Sequence, residues 1–269
     1  MSDFVMNYEV VIRLGFFFGV FSLVALAEVI WPRRQLKTRR WRRWPSNLGI
    51  VVLDTLVVRL LFPVTGVLLA LRIQDLGWGL FNVLNWPQVV EVVLAVIFLD
   101  MVIYWQHVVF HRVPFLWRLH RMHHADTEYD VTLGARFHPI EIVLSMMIKI
   151  VFIVALGVSP VAVIAFEVLL NGTAMFNHGN FKLPPSVDRW LRKFLVTPDF
   201  HRVHHSVFAR ETHSNFGFNL SVWDYLFKTY IAQPKEPHDQ MEIGLPEFRN
   251  PRYLKLHWLL AIPFIKSRN

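Results

Sequence analysis

The sequence predicts an all-α integral-membrane protein, a bundle of about four or five membrane helices carrying a histidine-rich cap on the cytosolic side. Three observations lead there. The 269 residues are 54% hydrophobic and 18% charged, with 23 Phe and 10 Trp, and the mean hydropathy is +0.37; soluble domains carry about 25% charged residues. Long apolar runs recur along the chain. Eleven of the 13 histidines fall between His107 and His213. This composition excludes a disordered chain and argues against an ordinary water-soluble globule. Cysteine is absent, which removes disulfides, thiolate-bound zinc, thiol nucleophiles and cysteine-held iron–sulfur clusters.

The apolar runs define the elements in order. Residues 10–30 are broken only by Arg13 and Glu28. Ala25-Leu26-Ala27 loosely resembles a signal-peptidase site, but the residues before this run are acidic, so it is expected to stay as an anchor. Residues 47–71 are interrupted by Asp54 and Arg59, and residues 89–109 by Glu91 and Asp100. Residues 141–157, with Lys149, and 160–176, with Glu167, are split by the turn signal Gly157-Val158-Ser159-Pro160. A span needs about 20 residues. The first three runs meet that length; the last two form a tilted or partly re-entrant hairpin. The apolar tail at 256–265 is too short to span and is expected at the interface or packed on the cap. With no 20–50-residue repeat and no low-complexity linker, residues 1–269 read as a single membrane domain.

The net charge of +8 is concentrated in one place. The run from Arg33 to Arg43 holds seven cations and no anion. Lying between two apolar runs, with Trp41 and Trp44 suited to the membrane interface, it reads as a positive-inside loop rather than a nucleic-acid patch. That places the N-terminus outside, and a third span returning inward delivers residues 107–139 to the cytoplasm. The hairpin then brings residues 178–269 to the same face. Both histidine-rich regions converge there.

The histidines fall into three patches: His107 with His111, then His120 with His123 and His124, then His201 with His204 and His205. Residues three and four apart share a helix face, so each patch presents its rings together. Neutral imidazole suits Fe, Zn, Cu or Ni, and a catalytic zinc takes about three protein ligands. Eight rings, with His178 as a ninth, exceed the need of one ion and match two ions with four or five ligands each. A doubled H-x2-H-H is rare by chance, so scattered surface histidines explain the pattern poorly.

These motifs resemble the fatty acid hydroxylase/sterol desaturase superfamily of integral-membrane, histidine-ligated di-iron enzymes, and most closely its bacterial sterol-desaturase-like branch. The resemblance runs from about Asp100 to Tyr230 and rests on several ordered segments. These are Tyr104-Trp105-x-His107, Leu116 to His124, Arg136-Phe137-His138-Pro139-x-Glu141, Asn177-His178, Thr197 to Ser206, Asn215-Phe216-Gly217 and Trp223-Asp224. Two positions depart: Lys228 stands where the family usually has Gly, and His213 where a small polar residue is common. The resemblance implies two iron ions, replaceable by zinc in purified protein, held by His107, His111, His120, His123, His124, His178, His201, His204 and His205. It implies O2-dependent hydroxylation or desaturation of a lipid C–H bond (fatty acyl, sterol or other isoprenoid), in a bacterial inner membrane rather than the endoplasmic reticulum. No flavin-type glycine fingerprint or haem-binding module is evident, so electrons are expected from a separate reductase or carrier.

Around the ligands, Asp100 lies two helical turns before His107 and can either orient that ring, as outer carboxylates do, or pair with an Arg. Glu141, Asn215 and Asp224 are further outer partners. His138, before the helix-starting Pro139, takes an outer or structural role. His213, His238 and His257 stay outside the ligand set, the last two as interface or surface residues. Two other classes fit the same histidines. A di-zinc hydrolase would need a carboxylate base beside a metal-bound water, and no HExxH arrangement is present. A metal carrier or sensor would place ligands near the bilayer midplane, whereas these gather at one rim.

Overall fold

The computed structural model describes residues 6–266; the acidic start at Asp3 lies outside them. Every element among the described residues is helical apart from isolated bridges. Five helical segments are long and apolar enough to cross a membrane. We number the helices α1 (Glu9–Ile30), α2 (Arg40–Leu61), α3 (Gly66–Asp75), α4 (Leu80–Leu84), α5 (Gln88–Arg112), α6 (Pro114–His124), α7 (Pro139–Leu156), α8 (Pro160–Asn177), α9 (Pro185–Leu191), α10 (Pro198–His204), α11 (Ala209–Thr212), α12 (Val222–Leu226) and α13 (Leu256–Ala261).

Four of the five spans follow the expected bounds to within a few residues; the second does not. Residues 47–71 are not one helix. α2 starts earlier, at Arg40, and ends at Leu61, because Pro63 disfavours helical geometry at the residue before it. α3 then restarts with Thr65 as its cap, accepting from Leu68 N–H. The α7–α8 turn needs Gly157, whose φ of +67° falls in the left-handed region. Ser159 caps α8 and Pro160 opens it.

α8 is the central post, with α1, α3 and α5 packed on it and α2 packed on α7. A core of Val67, Ala70, Leu99, Val163 and Phe166 fills the space between α3, α5 and α8. Outward faces carry exposed Leu14, Phe16, Phe18, Leu56 and Leu60, an apolar surface of the kind a bilayer covers. Several polar interruptions of the spans are paired inside the bundle, as buried charges at this depth require. Glu167 on α8 bonds Arg13 of α1 and Lys149 of α7, each at 2.5 Å.

The basic run is not simply a loop. Arg40 to Arg43 belong to α2, and Arg43 is fully buried, with Asp126 at 2.7 Å and Asp130 at 2.6 Å. Arg33 reaches Asp199, and Arg34 Nη1 donates to Met241 O at 2.8 Å. Part of the expected positive-inside charge therefore fastens the cap to the spans. The tail packs on the cap, as α13 and the following turn join Ile50, Met122 and Phe248 in one cluster. Arg118 Nε donates to Pro263 O at 2.7 Å.

Candidate metal centre

The nine histidines meet in two adjoining groups. His107, His111, His120, His124 and His204 form one; His123, His178, His201 and His205 form the other. Within each group, one ring nitrogen per residue lies within 4.8 Å of all the others, and every residue is buried. The groups touch through His124 and His205, whose stacked ring centroids are 4.5 Å apart.

Helical geometry divides each H-x2-H-H motif between the two groups. On α6, His120 and His124 lie four apart and face one way, while His123 is turned by about 100°. On α10, His201 and the following His205 face the second group and His204 the first. Each motif therefore braces both groups. Local sequence sets these helices: Pro114 opens α6, and Thr197 caps α10 by accepting from Phe200 N–H, with Pro198 in the first turn.

The rings are oriented from behind. His107 Nδ1 donates to Phe216 O at 2.8 Å, His204 Nδ1 to Ser214 O at 2.7 Å, His178 Nδ1 to Ala174 O at 2.7 Å and His123 Nδ1 to Arg136 O at 3.2 Å. Because a carbonyl can only accept, each of these rings carries its proton on Nδ1 and turns the lone pair of Nε2 inward. His120 Nδ1 sits 2.6 Å from Glu141 Oε1, which fixes the same tautomer. As a result, Nε2 of His107 faces Nε2 of His120 at 3.1 Å, and Nε2 of His123 faces that of His178 at 3.2 Å. Two lone pairs at that distance repel unless a cation lies between them. Ligands with bonds of about 2.1 Å meeting near a right angle are about 3 Å apart.

Seven other ring nitrogens of these nine histidines are buried with no hydrogen-bond partner: His111 Nε2, His124 Nε2, His204 Nε2 and both nitrogens of His201 and His205. Leaving one such group unsatisfied costs roughly 1–3 kcal/mol. Burial pushes His120 and His178 down to about 3. It also lowers His123, His124, His201, His204 and His205 well below 6.5, with the neighbouring imidazoles adding to the effect. The set is therefore neutral at pH 7, the form that binds a metal. The residues present fit two metal ions.

The outer residues distribute differently from expectation. Glu141, expected among the outer partners without an assigned ring, lies against His120. Asp100 neither orients His107 nor pairs with an Arg; it accepts from Asn219 N–H, Leu220 N–H and Trp223 Nε1. Its helix position is right, but the loop after Phe216 lies between it and the ring. Asp224 acts one step back, accepting from Phe216 N–H at 2.8 Å and Gly217 N–H at 2.6 Å, and so holds the peptide that orients His107. Asn215, at φ +50°, ties Phe200 O to Ile231. His138 caps α7 through Ile140 N–H. Lys228 has φ +58°, which explains why glycine suits that position.

Two histidines differ from their reading. His238 is buried beside Asp199, 3.8 Å away, and burial pushes it down to about 3; His257 is exposed as expected. His213, on the exposed edge, brings Nδ1 to 3.3 Å from His111 Nδ1, a role that its distance in sequence from His111 concealed. Phe137, stacked on His123 at 4.6 Å, was also not singled out.

A cavity of about 540 Å³ runs between the membrane helices and is separated from the histidines by Phe137, stacked on His123, and Glu141, bonded to His120. Phe137, Phe218 and Glu141 line the end near the rings; Leu14, Val58 and Phe62 line it further down.

The profile of the fatty acid hydroxylase family matches residues 92–229, just over half of the chain and all nine of these histidines. The chain belongs to the fatty acid hydroxylase family. It is 27% identical to ornithine lipid hydroxylase OlsE of Rhizobium tropici over 56% of this chain and 45% of that protein. It is 26% identical to human alkylglycerol monooxygenase over 69% of this chain and 40% of that one. A rice very-long-chain aldehyde decarbonylase, GL1-5, is 27% identical over 48% of this chain and 22% of its own. The chain thus spans less than half the length of the curated relatives it matches. No solved structure gives a significant match. The five long apolar helices make the chain a multi-pass membrane protein.

Proposed function

We propose that this chain is a membrane-bound di-iron oxidoreductase that uses O2 and electrons from a separate carrier to hydroxylate or desaturate a C–H bond of a lipid. The carrying observation is the convergence of nine buried imidazoles in two groups, five of which have the Nδ1 proton held from behind by a carbonyl or Glu141. Family relatives named as lipid hydroxylases and monooxygenases support the reaction class. The basic run, on the same side as the histidines through its ties to Asp126 and Asp199, supports a cytoplasmic face.

His107, His111, His120, His124 and His204 would hold one ion, and His123, His178, His201 and His205 the other. When bound, an iron pair supplies the O2-driven oxidation of an unactivated C–H bond, which no side chain here can perform. All-imidazole ligation adds no negative charge. The chain's own part is positional. Carbonyls of Phe216, Ser214, Ala174 and Arg136 hold the Nδ1 protons, which keeps each Nε2 free. Glu141 holds the proton on His120 Nδ1 and raises that ring's basicity. The cavity walls admit a chain from the bilayer while Phe137 and Phe218 keep water from the rings.

The test is lipid mass spectrometry of cells carrying the intact chain against cells carrying His204→Ala. The expected result is a lipid that gains one oxygen or loses two hydrogens only with the intact chain. Identical lipid profiles contradict the proposal.

A further inference from the structure

The buried carboxylates of the membrane spans have partners, with one exception among the described residues. Glu28 accepts from Val131 N–H and Asn180 N–H. Glu91 accepts from Ser159 N–H, Glu167 pairs with Arg13 and Lys149, Asp100 holds the Asn219–Trp223 loop, and Glu141 binds His120. Asp54 on α2 is 7% exposed, and its Oδ1 is buried with no hydrogen-bond partner. An ionisable residue at this depth marks a functional site unless its partner is found.

Asp54 lines the cavity between the membrane helices, and two more acceptor oxygens on its walls are in the same condition: Glu141 Oε2 and Gln106 Oε1. The amide of Gln106 already donates to Ser145 Oγ at 3.1 Å, and Arg13 is committed to Glu9 and Glu167. Arg59 also lines the cavity but lies five residues further along α2, more than a helical turn away, and is exposed. The three acceptors come from α2, α5 and α7. They gather at the cap end of the cavity, since Gln106 precedes His107 and Glu141 touches His120. From Val51 to Phe62 the α2 wall runs about 16 Å toward the other side of the membrane, long enough for an alkyl tail.

We propose that the cavity binds a lipid through a hydrogen-bond donor (hydroxyl, amide N–H or protonated amine) placed next to the reacting carbon, with Asp54 as its anchor and the tail running down the cavity. This rests on the lipid-oxidation reading for the chemistry, but not for binding. A hydrocarbon without a donor leaves three buried acceptors unpaired. Sites built around such groups reject the analogue that lacks the donor far more strongly than they reject a change of one methylene. Oxidation then falls near the polar end of the substrate, not at mid-chain.

The test uses the full chain in neutral phospholipid nanodiscs, with binding corrected for partition into the bilayer. N-dodecylacetamide, which has one N–H, is compared with N-dodecyl-N-methylacetamide, which has none, and with dodecyltrimethylammonium, which has charge but no donor. The expected result is at least tenfold tighter binding of the N–H ligand than of either other ligand. Asp54→Leu brings this preference to within about threefold, whereas Asp54→Asn, which keeps an acceptor oxygen, retains most of it. If Asp54→Leu does not fold, Gln106→Leu takes its place and must weaken the preference. Equal binding of the two amides overturns the proposal, since water then satisfies the acceptors. Tightest binding of the trimethylammonium ligand overturns it too, as does a preference that survives Asp54→Leu. None of these outcomes depends on turnover, so the lipid-profile comparison with His204→Ala stands or fails separately.

Discussion

The two histidine groups are built to different degrees of readiness. In the five-membered group, His107, His111, His120 and His204 each have Nδ1 engaged, by Phe216 O, His213, Glu141 and Ser214 O. In the four-membered group only His123 and His178 are held this way, while both nitrogens of His201 and His205 lack a partner. Outer partners of metal-bound histidines are worth about 10–100-fold in affinity or activity. The first group is thus largely oriented by the protein, whereas half of the second would depend on a bound ion for orientation. A paired site can in this way combine one firmly held ion with one that exchanges more readily.

The largest expected effect comes from removing a ligand. His124→Ala or His205→Ala should each drop the metal content from two ions per chain toward one and reduce lipid oxidation by more than about 100-fold, beyond the usual outer-partner effect. Retention of both ions in either variant would break the division into two groups.

Next in size is the joint beneath both groups. Arg43→Ala leaves Asp126 and Asp130 buried with less compensation, and breaking such a pair costs about 3–5 kcal/mol. Loss of cap folding should follow, seen as proteolysis within residues 125–138. The joint has a definite pH dependence. Burial alone pushes the Asp126 carboxyl up, but Arg43 and Arg136 outweigh it and hold it below 3.8. A depressed carboxylate stabilises the fold at every pH above its unfolded value and loses that contribution only as pH falls through the folded value. Cap stability measured by proteolysis should therefore be unaffected by this group down to about pH 4 and decline below that. A decline beginning near pH 6 would assign the joint to other groups.

A smaller effect sharpens the comparison itself. Glu141→Gln should weaken one ion by about 10–100-fold, followed by metal analysis after graded chelation. In the intact chain the four-membered group should release its ion first, giving two phases. In Glu141→Gln the phases should draw together, because the better-oriented group has lost one orienting acceptor. A single phase in the intact chain would mean that the two groups act as one site.

Much of this was legible from the residue pattern. Apolar runs located four spans closely, and the spacing of the H-x2-H-H motifs, with His178, gave all nine clustered rings. The second span was misjudged because hydropathy continues through Phe62-Pro63-Val64, while backbone geometry does not. Asp100 was misplaced because helical periodicity shows which face a residue occupies, not whether a loop will lie between it and its neighbour. The acceptors that orient four of the nine rings are backbone carbonyls of Phe216, Ser214, Ala174 and Arg136, and side-chain identity carries no mark of them. His213 illustrates the same limit, since 102 residues separate it from His111. Arg43 could be read only as charge until Asp126 and Asp130 were found against it.

The most direct check of the central claim is metal analysis of the full chain purified anaerobically from iron-supplied cells. Two irons per chain, reduced to about one in His205→Ala, is the expected result. A chain that binds a single ion, or none, under those conditions contradicts a paired centre held by nine imidazoles.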